Sequence, residues 1–94
     1  MKFYDRISRN AKAIQFTGFN TEEVLEETNF NGVHSLQIVN SFCLKTRTRK
    51  GEEFIFSGDW ILLTSISGDG ELMLNLEVMS NADFIHNYKL AAEQ

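Results

Sequence analysis

Apolar and polar residues alternate along most of this chain, and a period of two marks half-buried strands. The alternation is cleanest from Phe42 to Arg49: Phe42, Leu44, Thr46 and Thr48 share one face, and Cys43, Lys45, Arg47 and Arg49 share the other. Residues 71–78, ELMLNLEV, alternate as strictly, which predicts Leu72, Leu74, Leu76 and Val78 inward and Met73, Asn75 and Glu77 outward. Residues 11–17 place Ile14 and Phe16 on one face, and residues 35–40 do the same with Leu36 and Ile38. The most apolar run, Phe54 to Thr64, is broken by Ser57-Gly58-Asp59. It predicts two short strands meeting at a tight corner in the centre of the fold. Gly58 can take a positive φ there, and Asp59 can bond its own backbone two residues on.

Two stretches leave this period. Asn20 is a good N-cap with Glu23 at the capping-box position, and Val24, Leu25 and Thr28 form a narrow apolar stripe. Asn29-Phe30-Asn31-Gly32 stops that helix, with Gly32 able to take the left-handed conformation. Ser80 or Asn81 opens a final helix whose packed side is Phe84, Ile85 and Tyr88. Lys50-Gly51-Glu52 and Ser67-Gly68-Asp69-Gly70 read as hairpin turns, the second suiting a type I′ turn. The first would bring Glu52 and Glu53 across from Arg47 or Arg49. The element order is β-α-β-β-β-β-β-α, an α+β fold with a small, mostly antiparallel β-sheet and one helix near each end. Residues 1–94 are expected to form a single domain, with residues 1–10 as an amino-terminal arm and 91–94 as a frayed tail.

Composition narrows the class. The chain of 94 residues is 43% apolar and 23% charged, ordinary for a globular domain. No apolar run approaches the roughly 20 residues of a membrane span, and the start MKFYDRISRNAKA lacks a secretory apolar core. One cysteine, Cys43, excludes an internal disulfide and fits a reducing compartment. Cytoplasm is therefore the expected location. The net charge of −4 is unevenly spread. Glu22, Glu23, Glu26 and Glu27 form an acidic block, and Lys45, Arg47, Arg49 and Lys50 a basic one.

The segment Ala13-Ile14-Gln15-Phe16-Thr17-Gly18-Phe19-Asn20-Thr21-Glu22-Glu23-Val24 resembles the opening of a family of small bacteriophage proteins of unknown function. That family commonly carries an A-x-Q-[FW]-T-G-x-N-x-E-E-[VI] segment. Gly58-Asp59-Trp60-Ile61-Leu62 resembles its G-D-[WY]-I-[IV] segment, Gly70-Glu71 its following G-E, and Phe84 with Tyr88 its closing D-x-F-x-x-x-Y. The chain has no proline, whereas the family usually has one before the Gly-Asp, at the place of Ser57. The resemblance implies a phage origin and, by extension, action in a host cytoplasm. It implies no biochemical activity.

Candidate chemistry is sparse. Cys43, His34 and His86 are isolated and lack metal-ligand spacing, so no metal or cofactor is expected. Cys43 as a nucleophile would need a base; a half-buried strand cysteine is the simpler reading. Asp59 beside Trp60 invites an acid–base role, but a turn-capping aspartate accounts for it better. Gly68-Asp69-Gly70 lacks the lysine and helix of a phosphate loop. The ladder Lys45, Arg47, Arg49 with Lys50 is a candidate contact for an anion or nucleic acid, although no aromatic residue is expected to interleave on its face to stack a base. The plainer reading is a solvated strand face. The block Glu22, Glu23, Glu26 and Glu27 is a candidate interface for a basic protein.

These features favour a non-enzymatic phage accessory protein that binds and inhibits a host protein, for example a defence component such as CRISPR machinery. The alternatives are a protein that sequesters an anionic nucleotide signal and a virion-associated structural module. A homo-oligomer through a sheet edge is a further expectation, with strand 42–49 as the candidate edge. No membrane partner is expected.

Overall fold

A computed structural model describes residues 2–6, 9–68 and 71–90, with side chains described for 12–64 and 75–88. Among the described residues, eight strands and two helices follow in the order β1 (Lys2–Arg6), β2 (Arg9–Gln15), α1 (Thr21–Phe30), β3 (Gln37–Asn40), β4 (Cys43–Thr48), β5 (Gly51–Phe56), β6 (Trp60–Gly68), β7 (Glu71–Met79), α2 (Asn81–Asn87) and β8 (Lys89–Leu90). The α+β class and the predicted sequence of elements hold. Within the expected amino-terminal arm, residues 2–6 form β1, antiparallel to β2. The 91–94 tail and the Asp69-Gly70 turn lie outside the described residues; the hairpin that the turn predicts is present, with Gly68 opposite Glu71.

The strands divide between two sheets rather than one. Five form the order β7-β6-β2-β1-β8 and three form β3-β4-β5, and every pairing is antiparallel. In the larger sheet both faces are covered. Ile14 and Ile61 pair on one face, where they pack with Phe16, Val24 of α1, and Leu44 and Ile55 of the smaller sheet. Ala13 and Leu62 pair on the other, against Phe84 and Tyr88. Each fully buried Ile, Leu or Phe stabilises the fold by about 1.5–3 kcal/mol. Burial on both sides also explains Asn75, which alternation predicts outward. It pairs with Thr64 on the face that carries Leu62 and Phe84, and is only 7% exposed.

The central apolar run crosses from one sheet to the other. β5 belongs to the smaller sheet and β6 to the larger, so Ser57-Gly58-Asp59 is the passage between them. Gly58 has φ 99°. The Asp59 carboxylate closes the turn backwards: Phe56 N–H donates to Oδ2 at 2.9 Å, and Asp59 N–H donates to the Phe56 carbonyl at 2.9 Å. This replaces the forward bond the sequence suggested. Two more bonds clasp the passage to the end of β2: Phe16 N–H donates to the Asp59 carbonyl at 2.9 Å and Gly58 N–H to the Phe16 carbonyl at 2.7 Å.

Four expectations about apolar positions are corrected. Phe54 and Phe56 are not buried with Ile55; they alternate onto the outer face of the smaller sheet. Ile38 is 60% exposed, because β3 is a four-residue edge strand whose register shifts between Ile38 and Asn40. Phe42 precedes β4 and stays exposed at the end of the sheet, and Ile85 is on the solvent side of α2. Strand β4 is central, not an edge.

Candidate functional site

The acidic block lies on α1. Val24 and Thr28 are its buried face, and Thr28 Oγ1 donates to the Val24 carbonyl at 2.9 Å. On the opposite side, Glu22, Glu23 and Glu26 are exposed, whereas Glu27 is half-buried on the flank. Two phenylalanines bracket these carboxylates: Phe19 is 92% exposed and Phe30 is 89% exposed. Positions 22, 23, 26 and 30 follow the i, i+3, i+4 spacing of one helix face, a stripe about 12 Å long at 1.5 Å per residue, and Phe19 stands in the loop just before it. The loop that presents Phe19 is held by Asn20. Its side chain does not cap the helix but turns back, accepting from Thr17 N–H at 2.9 Å and donating to the Gln15 carbonyl at 2.8 Å. Phe19 N–H is bound in turn by Thr17 Oγ1 at 3.2 Å.

The basic block divides. Lys45 and Arg47 project from β4 onto the outer face of the smaller sheet, while Arg49 and Lys50 occupy the two-residue turn between Thr48 and Gly51. Thr48 Oγ1 accepts from Lys50 N–H at 3.1 Å and donates to the Glu53 carboxylate. Arg49 and Lys50 line a groove of 520 Å³ with Glu53, Glu77 and Asp83. Glu52 lies across from Arg47, as one of the two expected pairings had it; Glu53 lies across from Thr46.

Strand pairing adds what the strand alone conceals. Phe54 is directly opposite Lys45, and Phe56 is opposite Cys43. Gln37 of β3 completes the first row on the other side of Lys45. Aromatic side chains therefore do interleave the cations, from the neighbouring strand. The hairpin turn would have revealed this, had it been centred on Arg49-Lys50 instead of Gly51.

Cys43 is buried, with its thiol directed at the Leu44 carbonyl at 3.5 Å. His34 is exposed and shares a hydrogen bond with Asn29 Oδ1 at 3.0 Å, while His86 lies in the last turn of α2. Among the described residues, no three His, Cys, Asp or Glu side chains gather as a metal site, and no helix is long and apolar enough to cross a membrane. No protein-family model matches the chain, nor does any curated protein or solved structure.

Proposed function

We propose that this chain is a non-enzymatic bacteriophage accessory protein that binds a host protein in the host cytoplasm and blocks it through the solvent face of α1. The observation that carries this reading is the acidic stripe bracketed by Phe19 and Phe30. Exposed aromatic anchors beside complementary charge are how protein interfaces concentrate their binding energy. A row of carboxylates selects a basic partner, and host proteins that bind nucleic acid, defence nucleases such as CRISPR effectors among them, carry such surfaces. The phage origin rests on the resemblance of the segments from Ala13 to Tyr88. A nucleotide in the groove beside Arg49 and Lys50 is the weaker reading, since the three carboxylates of Glu53, Glu77 and Asp83 share that space.

The test is affinity capture from bacterial lysate, followed by direct binding and an activity assay with the captured protein after purification. Reversing Glu22, Glu23, Glu26 and Glu27 to lysine should abolish binding, and Phe19→Ala with Phe30→Ala should weaken it about tenfold or more. A partner bound equally well by both variants would remove α1 as the interface. A partner whose activity is unchanged in the complex would remove the inhibitory role.

A further inference from the structure

We infer that the outer face of the three-stranded sheet is a binding platform for single-stranded nucleic acid, distinct from the α1 surface. Sheet pairing assembles on one face the side chains such a ligand requires. Phe54 and Phe56 are 48% and 56% exposed, with ring centroids 6.4 Å apart and planes inclined by 32°. That separation is close to the step between successive nucleotides of an extended strand, so two neighbouring bases can each meet one ring. Every base has a π face, and stacking of this kind tolerates any sequence. Lys45 stands beside Phe54, near the phosphate that would link those two bases, and Arg47 lies one row further along the same face, away from Phe56, where the next phosphate of the strand would fall. Gln37, at the far end of the Lys45 row, is exposed and offers an amide to a base edge.

Charge distribution supports a polyanion. Four of the nine basic residues fall between Lys45 and Lys50, in a chain whose net charge is −4, and two of them, Lys45 and Arg47, lie on this face. Glu52, opposite Arg47, is the one carboxylate in the paired rows of this face.

The alternative occupant is a second copy of the chain, joined through the free edge of β5. Two observations weigh against it. Protein interfaces are depleted of charge at their centre, and here Lys45 is paired directly with Phe54. The edge is also short. Phe56 already uses its N–H and carbonyl on Asp59. By the alternation of an antiparallel ladder, Glu52 and Phe54 direct their backbone groups to the same open side. Only those two residues remain for a partner strand.

The test is fluorescence anisotropy of labelled twelve-nucleotide oligothymidylate and oligouridylate with the full chain at low salt. A dissociation constant of about 1–100 μM is expected. Phe54→Ala and Phe56→Ala should each weaken binding about fivefold or more, whereas Phe54→Tyr should retain it. Arg47→Gln should lower the slope of log K against log salt by about 0.7, and Glu52→Gln should tighten binding. All four positions are solvent-exposed, so the variants are expected to fold. Absence of binding at 100 μM protein would overturn the proposal (~the weak limit of non-specific affinity). So would binding that ignores both alanine substitutions, which would leave only diffuse attraction to charge. A dimer without oligonucleotide that the same alanines dissolve would give the face to a second copy and overturn it as well.

Discussion

Gly58 holds a backbone conformation that side-chain-bearing residues adopt only at a cost. Its φ is 99°, and an added Cβ would meet nothing within 4 Å. A methyl group there strains the backbone without touching a neighbour. Gly58→Ala should therefore destabilise the fold by about 1–2 kcal/mol, read as a lower urea midpoint at unchanged slope. Gly18 differs in kind. Its φ is 87°, and an added Cβ would come within 3.3 Å of the Phe42 ring and 3.4 Å of Ser57 Oγ. Asn20 shows how far a residue type reveals its use. Its position before α1 was legible, because a short polar side chain favours that place. Its actual bonds, backwards to Gln15 and Thr17, depend on the chain entering from β2, which local spacing does not encode.

At the scale of elements, the aromatic stack on α2 offers the clearest measurement. Trp60 and Phe84 stack with centroids 3.7 Å apart, Phe84 and Tyr88 follow at 5.3 Å, and Trp60 Nε1 donates to Asn81 Oδ1 at 2.8 Å. Ser80 Oγ caps the helix by accepting from Asp83 N–H at 3.2 Å. Phe84→Ala should cost about 3–5 kcal/mol. The sole tryptophan should then emit further to the red in the folded state, since it loses its covering ring. This pairing of Phe84 and Tyr88 could be read directly from their spacing, as could the strand periods of β2, β4 and β7, and the helix cap was narrowed to Ser80 or Asn81, of which Ser80 serves. Faces were harder to assign. Alternation states which residues lie together on a side, but not whether that side meets solvent. Asn75 and Phe54 show the two ways this fails: α2 covers a face that reads as polar, and the outer sheet face leaves bare a side that reads as apolar. The pairing of Lys45 with Phe54 joins residues on different strands and became visible only with the register.

Across the whole molecule, the chain's two ends build the five-stranded sheet, and its middle builds the rest. β1 and β2 come from the start, β6, β7 and β8 from the later half, and α1 with the three-stranded sheet lies wholly between β2 and β6. The two candidate surfaces both belong to this middle portion. The bonds of Phe16 with Gly58 and Asp59 sit at its neck, where chain enters and leaves. A time order of assembly follows from that neck. The hairpins β3-β4 and β4-β5 close over few residues, but joining β2 to β6 requires closing the whole intervening stretch, and such distant closures set the pace of folding. If the middle portion forms first, its own structure brings Phe16 to Gly58 and shortens the search that β2 and β6 must make. Ile55→Ala should then slow refolding in stopped-flow measurements, whereas Leu62→Ala should chiefly hasten unfolding. The reverse pattern would mean that the outer strands meet first and the middle is drawn in afterwards.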